Sequence, residues 1–186
     1  MRRIARLLTA PLLGATLLLL STAAQAETAH DFAFRSIDGE PLPLSDFAGK
    51  AVLLVNTASF CGFTPQYEQL QAVWEDYRAR GLVVLGVPSD NFGGQEYGDN
   101  AEIKQFCDVT FGIDFPMTEK QDVKGPGAHP LYAWIGGQLE RNAEPRWNFH
   151  KFLIDPEGRV VEGFPTTTRP DAAPVLAAIE AVLPAN

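Results

Sequence analysis

Two apolar runs on either side of one amphipathic stretch constrain this chain more than any other feature. Ala51-Val52-Leu53-Leu54-Val55 and the run from Leu82 to Val87 are continuous β-branched and aliphatic segments of strand length. That is the pattern of strands covered on both faces, and the first reads as a central strand. Between them, from Pro65 onwards, Tyr67, Leu70, Val73, Trp74 and Tyr77 recur at spacings of three and four. Gly81 ends this pattern as a helix C-terminal glycine does. Thr64 is expected to cap the helix, with Pro65 at its first position. The result is a βαβ unit.

The flanking segments extend this unit. Phe32-Ala33-Phe34, then Asp38-Gly39, then Leu42 and Leu44 read as two short strands around a tight turn. After Pro88 a polar, glycine-rich loop runs from Ser89 to Asn100, and short helix starts are expected at Asn100 to Phe106 and Pro130 to Ile135. Phe149 to Ile154 and Val160-Val161 form a hairpin around Asp155-Pro156-Glu157-Gly158, and a last helix fits Asp171 to Leu183. A βαβ unit followed by a hairpin and a closing helix is the layout of an α/β, thioredoxin-like fold, a mixed central sheet with helices on both faces.

The first 26 residues are built differently. Arg2, Arg3 and Arg6 precede an apolar run from Leu7 to Leu20, and Ala24-Gln25-Ala26 supplies small residues at a cleavable end. This is the pattern of a secretory signal peptide. Its apolar part is shorter than the roughly 20 residues of a spanning helix, so no membrane span is expected. Ile4-Ala5-Arg6 fits the folded-protein export signal poorly, which favours the general secretory route. Residues 27–186 are then expected to form one domain, periplasmic or secreted. Three of the 15 basic residues and none of the 23 acids lie before residue 27, leaving a net charge near −11. Nucleic acid and anionic membrane surfaces are poor partners for such a chain.

Both cysteines, Cys61 and Cys107, lie in the expected exported part, where disulfides persist. Cys61 stands between the end of a buried strand and the start of a helix, where unpaired N–H groups and the helix dipole favour a thiolate, the nucleophilic form. From the residue alone it is either a reactive cysteine or half of a structural disulfide with Cys107. In Cys61-Gly62-Phe63-Thr64 a threonine holds the place of a second thiol, so no local dithiol couple exists, which argues against an oxidoreductase acting on protein disulfides. His30, His129 and His150 are scattered without carboxylates or cysteines at ligand spacing, so no metal and no cofactor is assigned. His129 before Pro130 reads as a helix-start residue, and Trp74 and Trp134, on helical patterns, as core.

The segment Asn56-Thr57-Ala58-Ser59-Phe60-Cys61-Gly62-Phe63-Thr64-Pro65-Gln66-Tyr67 resembles the active-site motif of glutathione peroxidases. So do Leu82 to Pro88 with Asn91-Phe92-Gly93-Gly94-Gln95-Glu96, then Phe115-Pro116-Met117, Ala128-His129-Pro130-Leu131-Tyr132, and Trp147-Asn148-Phe149 with Lys151-Phe152-Leu153-Ile154-Asp155. The strings occur in order across nearly all of residues 27–186. The resemblance implies a peroxidase in which Cys61 is attacked by hydroperoxide, with Gln95, Trp147 and Asn148 around it. Side-chain amides and an indole N–H donate hydrogen bonds without ionising, which suits a departing oxygen anion.

Cys107, in Glu102-Ile103-Lys104-Gln105-Phe106-Cys107, resembles the resolving cysteine of members reduced by thioredoxin rather than by glutathione. A thioredoxin-like protein, or else glutathione, is the implied reductant. Closing the Cys61–Cys107 bond requires Cα atoms within about 7 Å, so the helix of Cys107 is expected to loosen if the two are far apart. The stretch between Ile135 and Trp147 lacks the longer insertion of tetrameric members, which implies a monomer. Three departures stand out. Cysteine replaces the selenocysteine of some members, Phe60 stands where lysine or glutamine is frequent, and Ser89-Asp90-Asn91 replaces Cys-Asn-Gln, putting an acid near the site. The competing reading is an exported binding protein with a permanent disulfide; the set Gln95, Trp147 and Asn148 argues against it.

Overall fold

The computed structural model describes residues 28–184, so the signal-peptide segment lies outside the described residues. The opening hairpin forms as expected: β1 (Ala33–Arg35) pairs antiparallel with β2 (Pro41–Pro43). Leu44 instead begins a 3-10 turn, Leu44–Phe47, and is buried there. The main sheet has four strands, β3 (Ala51–Thr57), β4 (Leu82–Pro88), β5 (Lys151–Ile154) and β6 (Val160–Phe164), in the order β4-β3-β5-β6. β3 and β4 are parallel, while β5 runs antiparallel to both β3 and β6, so the sheet is mixed and β3 is internal.

Every residue of β3 and β4 is buried, which is why both read as unbroken apolar runs. Their side chains alternate between two apolar layers. Leu53, Val55, Val84 and Leu153 face α1 (Gln66–Tyr77), α2 (Asn100–Phe111) and α4 (Ala173–Val182). Val52, Leu54, Leu85 and Phe152 face α3 (Pro130–Gly136), the hairpin and the 3-10 turns near residue 30 and Leu44. The outer edge of β4 is covered by the passing segment at Pro116 to Thr118, through Gly86 N to Pro116 O at 3.0 Å and Thr118 N to Gly86 O at 2.9 Å. This blunts an edge that could otherwise pair with another chain. Among the described residues no helix is long and apolar enough to cross a membrane.

Several local expectations change. Thr64 does not cap α1. The helix starts at Gln66 with Pro65 at the cap position, and the Thr64 hydroxyl turns back to Ala58 and Cys61. Residues 62–65 already turn before the helix, so the hydroxyl meets the backbone N–H behind it. α2 runs on to Phe111, five residues beyond the expected stretch, because its stop is Gly112, which takes φ +62° and closes the helix with its own N–H. Its start is capped by Asp99, whose Oδ1 accepts from Ala101 N at 2.8 Å. β5 begins at Lys151 and not at Phe149, whose φ of +61° breaks the extended conformation. Gly81, at φ +92°, ends the α1 region as expected. Trp74 and Trp134 pack at the rim of the core, half-buried and not enclosed. His129 starts α3: its Nδ1 accepts from Leu131 N at 3.3 Å and its ring stacks on Phe34.

Candidate active site

Strand directions bring the chemistry-bearing segments together. Because β3 and β4 are parallel, the loops after Thr57 and Pro88 leave the same edge of the sheet. β5 is antiparallel to β3, so the segment entering it arrives at that edge too. Cys61, Gln95 and Trp147-Asn148 occupy these three segments. Hydrogen bonds lock them: Phe60 N donates to Gln95 O at 2.9 Å and Phe149 N to Asn56 O at 2.6 Å, while Asn56 Nδ2 donates to Trp147 O at 3.1 Å.

Cys61 is a free, buried thiol. Thr64 fixes its loop: Oγ1 accepts from Cys61 N at 3.0 Å and donates to Ala58 O at 2.8 Å. The N–H of Phe63 points at Cys61 Sγ from 3.4 Å. This backbone donor holds the sulfur in the turn that leads into α1. Asn148 is fully buried and its Nδ2 donates to Gln95 Oε1 at 3.0 Å, joining two residues 53 positions apart. That contact leaves Gln95 Nε2 and the second N–H of Asn148 as donors.

Trp147 is 40% exposed and leans on Phe92 with ring centroids 5.9 Å apart, so it is not a core aromatic. Phe60, 56% exposed, rests on Tyr97 and supplies no charge to the site. The acid introduced by Ser89-Asp90-Asn91 is paired: Asp90 Oδ2 accepts from Lys120 Nζ at 3.1 Å. Phe149 adopts its left-handed backbone in full burial, with its ring edge-on to Tyr67 at 5.3 Å. Such strain in a non-glycine residue persists only where packing over-determines it, and it turns the chain sharply between Asn148 and β5.

Cys107 lies in the third turn of α2, a free thiol in the same apolar layer as Cys61. Burial pushes it up to about 12, with the Glu96 charge adding. Tyr67 Oη lies beside the Cys107 thiol and the Thr57 hydroxyl but meets neither in hydrogen-bond geometry.

Two buried ionisable groups were not among the expected site residues. Glu96 accepts from Ser59 N at 3.3 Å and Tyr97 N at 2.9 Å, and burial raises its carboxyl above the ordinary range. Lys151 is completely buried and donates to Gln66 Oε1 at 2.9 Å. The one signal in the sequence was a charge inside an apolar strand run, which alternation alone would have assigned to solvent. Among the described residues no three His, Cys, Asp or Glu side chains gather to hold a metal ion.

The family model for glutathione peroxidase matches residues 29–136. A hydroperoxy fatty acid reductase of Synechocystis is 44% identical over 158 residues, covering 81% of this chain and 94% of that protein. A glutathione peroxidase-like peroxiredoxin of Chlamydomonas reinhardtii is 46% identical over 137 residues, covering 73% of this chain and 85% of its own. Among solved structures, the T. cruzi GPX1 crystal structure superposes with a TM-score of 0.65 at 30% identity, covering 84% of this chain and 94% of that one. A protein disulfide isomerase from Bacteroides thetaiotaomicron, at 20% identity and TM-score 0.59, shares the thioredoxin-like fold alone. With the family match spanning more than half its length and relatives of this closeness, the chain belongs to the glutathione peroxidase family, thiol peroxidases that reduce hydroperoxides.

Proposed function

We propose that Cys61 is the peroxidatic residue, that Gln95, Trp147 and Asn148 serve the departing oxygen, and that Cys107 resolves the product. The observation that carries this reading is the convergence of the Cys61, Gln95 and Trp147-Asn148 segments on one sheet edge, tied by the Phe60–Gln95 and Asn148–Gln95 hydrogen bonds. The Cys61 thiolate attacks one peroxide oxygen, the O–O bond breaks, and the departing alkoxide or hydroxide takes a proton, giving a sulfenic acid and alcohol or water. Amide and indole donors waiting where that negative charge appears lower the barrier without reorganising.

Cys107 then condenses with the sulfenic acid, forming a disulfide and water, and a dithiol protein reduces that disulfide. A thiol held near 12 by burial is almost wholly protonated at neutral pH, so resolution requires α2 to open toward water. α2 is suited to this, since only Ile103 and Cys107 of its residues are fully buried. Exposed Phe60, Phe63 and Trp147 flank the site and favour organic hydroperoxides with apolar chains, in keeping with the relative named as a hydroperoxy fatty acid reductase. The N-terminal segment supports export of residues 27–186 as one domain to the periplasm or beyond, where a thioredoxin-like protein of that compartment is the reductant, and the short stretch between Ile135 and Trp147 supports a monomer.

Consumption of hydrogen peroxide and cumene hydroperoxide with a thioredoxin system tests the cycle. Wild type turns over, Cys61→Ser is inactive, and Cys107→Ser consumes at most one equivalent. An inert wild type whose two cysteines sit in a disulfide resistant to the reductant refutes the reading.

A further inference from the structure

We propose that Lys151 is a positioning residue for the peroxide-reducing step, holding Asn148 and Gln95 in their working orientation through a string of buried hydrogen bonds; the inference rests on the role assigned to Cys61 above. Lys151 opens β5 opposite Val55 and Phe164, on the face covered by α1. Its Nζ donates to Gln66 Oε1 at 2.9 Å, and Gln66 Nε2 donates to Thr166 O at 2.7 Å. Thr166 Oγ1 donates to Asn148 O at 2.7 Å, and Asn148 Nδ2 donates to Gln95 Oε1 at 3.0 Å. Lys151, Gln66, Thr166 and Asn148 are all buried.

The chemistry of the string depends on its charged end. An ammonium only donates, so Gln66 must offer Oε1 to it and Nε2 to Thr166. Without a donor at position 151, Gln66 Oε1 is left buried with no partner, and the amide moves to satisfy it, loosening its bond to Thr166 O. Thr166 then shifts, and with it the hydroxyl that holds the Asn148 backbone. A packed strand has no need of this lysine. Its neighbours are Phe152, Leu153 and Ile154, and burial depresses the ammonium to about 7. An apolar residue of similar length would avoid that cost. The charge-assisted bond at its end fixes the Gln66 amide, and Gln66 and Thr166 in turn hold the Thr166 and Asn148 backbone from which the Asn148–Gln95 pair is presented.

The test compares two rates in wild type, Lys151→Met and Thr166→Val: oxidation of Cys61 by hydrogen peroxide, and alkylation of Cys61 by iodoacetamide. Alkylation expels iodide and needs no oxygen donors, so a fault confined to the amides leaves it unchanged. Peroxide oxidation is expected to fall about tenfold or more in both variants, given the sensitivity of rates to misplaced groups. The double variant should be no slower than either single one, because both cut one string. Thr166→Val is nearly isosteric and keeps the test alive where Lys151→Met folds poorly. Parallel loss of both rates assigns Lys151 a merely structural role and overturns the inference, as does an unchanged peroxide rate. Failure of peroxide to oxidise Cys61 in the wild type overturns the parent reading as well, so the two failures are distinct.

Discussion

His150 lies between the strained Phe149 and the buried Lys151, and is itself buried with Nε2 donating to Asn142 O at 3.0 Å. Burial lowers its pKa to about 4, opposed by the Asn142 bond and reinforced by the charges of Lys151 and Arg146. In the unfolded chain an ordinary histidine titrates near 6.5. Between about 4 and 6.5 the unfolded state therefore binds more protons, and stability rises with pH across that window. Below it the site withholds about 3 kcal/mol. Urea unfolding of His150→Phe at several pH values should show a flatter slope between pH 4 and 6.5 than wild type, with some loss at neutral pH from the missing donor. An identical slope in both proteins would refute this assignment. The sequence offered none of this, because a histidine's burial is decided by partners as distant as Asn142 and by a left-handed turn at Phe149 that no local pattern encodes.

Among elements, the strands and α1 were legible and α2 was only half so. Apolar runs such as Leu82 to Val87 and the spacing of Tyr67, Leu70 and Val73 are local signals, and burial on both faces of β3 and β4 makes them strong. α2 buries little, so its pattern is faint beyond Phe106, and only Gly112 marks its end. The same weak attachment gives α2 its expected mobility in resolution. Asp99 caps its first turn at Ala101 and Glu102, and Asp99→Ala should cost about 1 kcal/mol of helix stability. If opening of α2 limits the Cys61–Cys107 condensation, that loss speeds disulfide formation after one equivalent of peroxide by up to about fivefold. Further oxidation of Cys61 to the sulfinic acid should fall in step. Mass spectrometry of quenched samples measures both, and an unchanged disulfide rate would mean that α2 opening is not the limiting motion.

For the whole molecule, the sheet keeps Cys61 and Cys107 in one apolar layer, while the opposite layer reaches the site through Phe92, which packs on Trp147. The family resemblance grouped Cys61, Gln95, Trp147 and Asn148, and strand polarity explains why their segments converge: all three leave or enter one end of the sheet. What the resemblance left unassigned is the support beneath that end, Glu96 and the Lys151 string, since burial of a charge depends on which residues fold over it. The layer carrying Cys61, Tyr67 and Cys107 lies on one face of the sheet, while Leu54, Leu85 and Phe152 fill the other. Leu85 is fully buried there, parallel-paired with Leu54 and remote in connectivity from the site loops. Leu85→Ala should therefore cost about 2–5 kcal/mol in urea unfolding through the cavity it opens. Its rate of peroxide reduction per folded molecule should match wild type, because the Phe60–Gln95 and Asn148–Gln95 bonds do not pass through that layer. A fall in that rate, measured where the variant is still fully folded, would show that packing on the far face sets the geometry of the site, and that the two faces of the sheet act as one unit.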